Sequence, residues 1–229
     1  MNKGYLKSLL NYLLNVYDIR EKINRLKDKR ANPKITTAAI AFSVLMGFMI
    51  KIRSFNQLDD YLEHGDFNKL APKRTKLLRI DTVKDSLKSI ELKPLKLMSN
   101  SIIKTSTDNK LFRNGTIDNY KVAAFDGVEL FESTNKSCPG CLTRVINGTP
   151  HYFHRCVVAA YVGRDPHIII GYEMLKPRQD SANKDEGELT SAKRLLSDLC
   201  SQYRHFADII VYDALACNAP WIMLLVPLV

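Results

Sequence analysis

The sequence predicts an α+β protein, in which an all-helical N-terminal region precedes a mixed α/β region. Two observations carry this prediction. Up to about Tyr120, apolar residues recur at steps of three and four, the spacing of one helix face. From Val122 onward, short β-branched or aromatic runs are bounded by Gly, Pro and Asp, which is typical of strands. We therefore expect a helical region over 1–116 and a second region over 117–229.

The helical pattern begins near the N-terminus. A second helix is expected after Pro33, and the same periodicity continues from Ser54 to Leu62. Asp81 is a plausible N-cap for a helix that Pro94 would interrupt. Residues 100–120 become polar and basic, which predicts a linker. The apolar face of the first helical segment consists of Leu6, Leu9, Leu13, Val16, Ile19, Ile23 and Leu26.

The second region predicts elements in the order β-β-β-α-β. Strands are expected at Val122–Phe125, Tyr152–Val162 and Ile168–Ile170, and a fourth at Ile209–Tyr212. The helix before the last strand places apolar residues on one face, namely Leu189, Ala192, Leu196, Leu199 and Tyr203.

Charge and cysteine content limit the class of protein. The chain has 229 residues, 45% of them hydrophobic, and a formal net charge of +10. This excess favours a nucleic-acid partner, although a solvated basic face explains it equally well. The longest apolar run, Ile35–Ile50, is too short to span a bilayer, so no membrane is expected. An odd number of cysteines, five, without a secretory signal favours reduced thiols in a cytoplasm.

Two carboxylates follow hydrophobic strands and are candidate metal ligands. Asp126 follows Val122–Phe125, and Asp213 follows Ile209–Tyr212. Two-metal phosphoryl transfer needs acidic side chains that converge from rigid elements. The alternatives are structural: Asp126-Gly127 is also the signature of a hairpin turn, and an Asp after a strand often caps the next helix.

The sequence around these aspartates resembles that of a known family. The segments VAAFDGVELFES, CPGCLTR, HYFHRCVVAAYVG, GELTSAKRLL and VYDALACNAPWI are similar, in that order, to DDE transposases of the insertion-sequence-4 type. The resemblance is densest from Val122 to Trp221. It implies a ribonuclease-H-like catalytic domain in which Asp126 and Asp213 are the first two catalytic carboxylates and ligands of Mg²⁺ or Mn²⁺.

The resemblance also implies an activity and its partners. The family binds the terminal repeats of its mobile element, hydrolyses a phosphodiester and joins the freed end to target DNA, so DNA recombination and DNA binding are expected. Homo-oligomers and a bacterial cytoplasm, with association to the nucleoid when bound to DNA, are further expectations.

One catalytic residue of the family is missing here. The family places a glutamate after the second aspartate, whereas no residue after Asp213 is acidic. We expect a truncated, inactive fragment, or alternatively a non-catalytic DNA-binding regulator that inhibits an intact transposase. Glu188 matches a position that the family keeps acidic, so it is a candidate for a residue that lies next to the metal ligands without binding the metal itself. It could equally begin a helix, where negative charge is favourable.

A second constellation combines cysteine and histidine. Cys138, Cys141, His151 and His154 form a C-x2-C-x9-H-x2-H pattern of residues that zinc commonly binds. The two histidines fall on a predicted strand, where their odd spacing points them to opposite faces. We therefore favour a Pro-Gly turn between two free thiols, with zinc as an optional cofactor.

Basic residues near the proposed site are candidates for DNA contact. They could neutralise phosphates without reading bases, and they could equally be solvated surface. The candidates are Arg113, Lys121, Arg144, Arg155, Lys193 and Arg194.

Overall fold

The computed structural model describes residues 3–64, 78–112, 117–163, 167–178, 185–203, 205–214 and 219–225. The chain divides into two compact units, Met1–Thr105 and Ser106–Val229. The predicted α+β class is confirmed, since the described residues form eight helices and a mixed sheet. Within these residues, every helix lacks either the length or the apolar content that crossing a membrane requires.

Helices build the first unit. The N-terminal periodicity is split between two helices, because Asp18 adopts a left-handed backbone conformation with φ 49°. The helix that begins near Asp81 ends at Ser89, before Pro94 as predicted, and Pro94 itself lies in the first turn of the next helix, where its missing N–H is tolerated. The helices are α1 Lys3–Val16, α2 Ile19–Asn24, α3 Thr37–Met49, α4 Phe55–Glu63, α5 Ile80–Ser89 and α6 Leu92–Asp108.

Two boundaries in this region differ from the sequence prediction. Helix α6 continues to Asp108, so the predicted linker over 100–120 is wrong for its first part. Asp81 lies inside the first turn of α5, and Arg79 occupies the N-cap position. Asp81 therefore complements the positive end of the helix instead of capping it.

A buried carboxylate ties the first unit together. Asp28 accepts hydrogen bonds from the backbone and guanidinium of Arg30, from Thr37 Oγ1 at 3.1 Å and from Ser86 Oγ at 2.5 Å. Burial alone would raise its pKa, but these donors outweigh burial and lower the pKa to about 2. Asp28 thus links the α2–α3 connection to α5.

The second unit contains a five-stranded sheet in the order β2-β3-β1-β5, with β4 also paired to β3. Strand β1 is antiparallel to β3 and parallel to β5. The strands are β1 Val122–Ser133, β2 Leu142–Ile146, β3 Thr149–Val162, β4 Ile168–Met174 and β5 Ile209–Val211; helix α7 spans Glu188–Gln202 and α8 spans Ala219–Leu225.

Strand β2 is absent from the predicted order β-β-β-α-β. It forms a hairpin with β3 around Asn147 and Gly148, whose φ angles are 49° and 77°. Two central residues with positive φ define the turn that best matches the twist of paired strands, and Asn-Gly is its strongest sequence signal.

Helix α7 covers β3 and β4 with its apolar face. Leu195 and Leu199 are buried there, and an added Cβ at Gly171 would lie 2.9 Å from Leu195 Cδ1. The glycine therefore permits a close approach of helix and sheet.

One edge of β1 is largely open. Strand β5 pairs only with Val122–Ala124, and no other described strand pairs with β1 on that side. The pairing of β1 with β3 shifts register between Glu129 and Phe131, which marks a β-bulge.

Candidate functional site

Asp126 lies within β1, four residues after the strand begins. Both the strand-end interpretation and the hairpin-turn alternative are wrong, because Asp126 and Gly127 pair with Val158 and Val157 of β3. The Asp126 carboxylate is exposed and accepts a hydrogen bond from the Gly127 backbone N–H at 2.8 Å.

Asp213 follows β5 and is also exposed. The parallel ladder pairs Ala124 with Val211. Asp126 and Asp213 each lie two residues beyond this last paired position, Asp126 within β1 and Asp213 after β5. The helix-capping alternative for Asp213 depends on residues 215–218, which lie outside the described part of the chain.

Tyr212 lies close to three carboxylates. Burial raises its pKa, and the negative charges of Glu188, Asp126 and Asp213 raise it further, to about 12. The Tyr212 ring packs against Phe125 and Trp221, with ring centroids 6.0 Å and 5.2 Å away. The Tyr212 phenol therefore lies within electrostatic range of both candidate aspartates and of Glu188.

Glu188 is the first residue of α7, and its carboxylate lies over β1. Its Oε1 is 2.5 Å from a guanidinium nitrogen of Arg155. An added Cβ at Gly127 would lie 2.1 Å from the same oxygen. Glu188 therefore begins the helix, as one of the two alternatives expected, and its carboxylate approaches Gly127, the residue next to Asp126.

The Cys-His pattern separates into two parts. Cys138 Sγ and Cys141 Sγ lie 3.3 Å and 3.5 Å from His154 Nε2, and the two sulfur atoms are 3.6 Å apart. His151 instead meets Glu132 Oε1 at 2.5 Å. The predicted divergence of the two histidines is confirmed, since only His154 faces the thiols.

Cys138, Cys141 and His154 are grouped closely enough to bind one metal ion. In the described ranges, they are the only set of three or more Cys, His, Asp or Glu residues whose ligand atoms all lie within 4.8 Å of one another. Asp126, Asp213 and Glu188 together are more widely spaced than this.

Three of the basic candidates are engaged by carboxylates. Arg144 contacts Glu129 and Glu132, and its guanidinium lies 4.6 Å from the centre of the Phe153 ring. The pKa of Arg144 is raised by these hydrogen bonds. Arg155 pairs with Glu188 as described above.

Arg194 on α7 contacts Glu173 and Glu186 and donates to the Met174 carbonyl at 3.1 Å. These bonds raise its pKa. Lys121 Nζ donates to the His205 carbonyl at 3.0 Å. Lys193 is half-buried on α7, and Arg113 lies outside the described residues.

Sequence reasoning missed Gly127 and Tyr212 as parts of this site. A glycine inside a strand pattern indicates a close backbone approach, and that signal is present at Gly127. No sequence signal identifies Tyr212, because its position depends on the parallel pairing of β1 with β5.

No protein-family model, curated protein or solved structure matches this chain. The fold and the sites define a mixed α+β protein with Asp126 in strand β1, Asp213 after strand β5 and a separate Cys-Cys-His cluster.

Proposed function

We propose that this chain carries the catalytic-core architecture of a DDE transposase, with Asp126 and Asp213 as ligands of Mg²⁺ or Mn²⁺. One observation carries the proposal: Asp126 and Asp213 each follow, by two residues, the last pair of the parallel ladder between β1 and β5. Adjacent strands can present carboxylates to the same hard cations.

The order of the elements supports a ribonuclease-H-like arrangement. Strand β1 lies between the antiparallel β3 and the parallel β5, and α7 connects β4 to β5. In this proposal β2 is an addition to that arrangement. The resemblance of the motifs from Val122 to Trp221 points to the same class.

The donor set suits a hard divalent cation. Asp126 and Asp213 offer exposed carboxylate oxygens, which are the ligands that Mg²⁺ prefers. When bound, the cations would lower the pKa of a nucleophilic water and stabilise the leaving oxygen. Glu188, held by Arg155, would keep negative charge close to the two ligands.

We propose that the chain of 229 residues binds the metal and element-end DNA but does not cleave that DNA efficiently. No acidic residue follows Asp213 in the sequence, so the third carboxylate of the scheme is not supplied. DNA binding would rest on basic residues other than Arg144, Arg155 and Arg194, whose charges are balanced by neighbouring glutamates.

The metal site can be tested by Mn²⁺ binding, followed through the relaxation of water protons. Asp126→Asn and Asp213→Asn should each weaken binding, and the double variant should abolish it. Asp118→Asn is the matched control, because Asp118 is exposed in the same unit and has a positive φ that Asn tolerates. Equal Mn²⁺ affinity in the wild type and the double variant would reject the site.

The DNA chemistry needs a separate assay. Wild-type protein should retard labelled element-end DNA in gel shifts and leave it uncut with Mg²⁺ or Mn²⁺. Nicking or joining by the purified chain would reject the proposed inactivity. A lack of preference for terminal repeats over random DNA would reject the transposase assignment.

A further inference from the structure

We propose that Cys138, Cys141 and His154 bind a zinc ion, in a site separate from the two aspartates. Two sulfur atoms and one imidazole nitrogen face a common point, with separations of 3.3, 3.5 and 3.6 Å. Soft thiolates combined with imidazole are the donor set that selects zinc over magnesium.

The three separations agree with the edges of a zinc tetrahedron. Zinc binds sulfur at about 2.3 Å and nitrogen at about 2.0 to 2.1 Å. Tetrahedral angles then place two sulfur ligands about 3.8 Å apart, and a sulfur and a nitrogen about 3.6 Å apart. The observed values are within about 0.3 Å of these edges, so the ligands need only small shifts to hold the ion.

Local structure holds the ligands in this arrangement. The Cys141 N–H donates to the Cys138 carbonyl at 3.0 Å, which closes a turn through Pro139 and Gly140. The Cys138 N–H donates to Cys141 Sγ at 3.2 Å, which fixes the position of that sulfur atom. His154 is fixed on β3, with its ring 6.2 Å from that of Phe131.

The geometry excludes a disulfide between the two cysteines. A disulfide requires a sulfur separation of about 2.05 Å, whereas the two sulfur atoms are 3.6 Å apart and both thiols are free to bind a metal. His151 is held by Glu132, so it is not the fourth ligand. Within the described part of the chain no other Cys, His, Asp or Glu joins the group, so these residues supply three ligands there.

A bound ion would connect two parts of the second unit. Cys138 and Cys141 lie between β1 and β2, whereas His154 belongs to β3. The ion would fix the β1–β2 connection against the sheet, and the free energy of metal binding would add to the free energy of folding.

Purified chain should be loaded with Zn²⁺, dialysed and measured for bound metal, with the thiols kept reduced. We expect one equivalent of zinc per chain. Co²⁺ as a probe should give the visible absorption of a tetrahedral ion and a thiolate-to-cobalt charge-transfer band. Zn²⁺ should also raise the thermal unfolding temperature.

Ligand variants test the assignment residue by residue. Cys138→Ser should fold, because Cys138 is exposed, and should weaken zinc by more than the roughly 10- to 100-fold that loss of an outer partner costs. His154→Asn should do the same. His151→Asn and Cys200→Ser are matched controls that should keep the metal and its absorption spectrum.

Three outcomes would overturn the proposal. The first is wild-type chain that retains no zinc after dialysis. The second is cobalt absorption without a charge-transfer band. The third is a loss of affinity in His151→Asn as large as that in His154→Asn.

Discussion

Replacing Gly127 with Ala tests how closely Glu188 approaches β1. A Cβ at residue 127 would lie 2.1 Å from Oε1, 2.4 Å from Cδ and 2.7 Å from Oε2 of Glu188. Carbon atoms in contact are normally about 3.5 to 4.0 Å apart, so the carboxylate has to move. Gly127 is not among the residues with positive φ, so the alanine backbone itself is unstrained.

The expected loss of stability follows from three contributions. The atoms that must move are the far end of the flexible Glu188 side chain, so displacing them costs about 1 kcal/mol, the low end for overpacking. The ion pair with Arg155 adds about 1 kcal/mol or less, because the Arg155 and Glu188 side chains are 39% and 32% exposed and solvent screens them. Ala in a strand is about 0.5 to 1 kcal/mol better than Gly, which offsets part of the loss. We expect Gly127→Ala to lower the free energy of unfolding by about 1 kcal/mol.

A double-mutant cycle with Glu188→Ala isolates the contact. In the Glu188→Ala background the obstructing carboxylate is gone, so Gly127→Ala should become neutral or stabilise by up to about 1 kcal/mol. Urea unfolding can be followed by the fluorescence of Trp221, which is buried in the second unit against Phe125.

A second glycine provides the control for the contact between Gly127 and Glu188. Gly187→Ala is the control, since an added Cβ there meets nothing within 4 Å, and its effect should be small in either background. If Gly127→Ala costs the same with and without the Glu188 carboxylate, then Glu188 does not lie over β1. The placement of Glu188 near Asp126 would then be wrong.

Three further predictions concern stability. Gly171→Ala should destabilise the second unit by about 1 to 3 kcal/mol in urea unfolding, because its Cβ would press on Leu195. The pKa of Asp28 is lowered to about 2 from 3.8, so its contribution of about 2 kcal/mol is present above pH 4 and lost as pH falls toward 2. Asp28→Asn should therefore unfold more easily at neutral pH and show a flatter acid dependence in urea titrations. Tyr161→Phe should cost about 1 to 2 kcal/mol in thermal unfolding, because the buried Phe206 carbonyl loses a 2.6 Å hydrogen bond.

The sequence predicted elements whose signals are local. Periodicity located most of the helices, although not α6 or α8, and β-branched runs located most strands, because both patterns follow from which face a side chain buries. The strand spacing of His151 and His154 correctly predicted that they diverge. The hairpin at Asn147-Gly148 was missed, although this dipeptide is a strong local signal for one.

Features that depend on distant pairing could not be predicted. Asp126-Gly127 has the composition of a turn, yet pairing with β3 holds it extended. The approach of Glu188 to Gly127 joins residues far apart in the chain, so only the packed arrangement reveals it. Likewise, partners for Arg144 and Arg194 come from neighbouring strands and loops, and their charge alone suggested free DNA contacts.

The open side of β1 affects how the protein behaves at high concentration. Unpaired backbone groups on a strand can recruit a strand from another molecule, which leads to aggregation. Here the defence is local: the bulge after Glu129 distorts the ladder, and the charges of Glu129 and Glu132 discourage an approaching chain. The bulge and the two glutamates therefore make β1 a poorer template for a strand from another molecule.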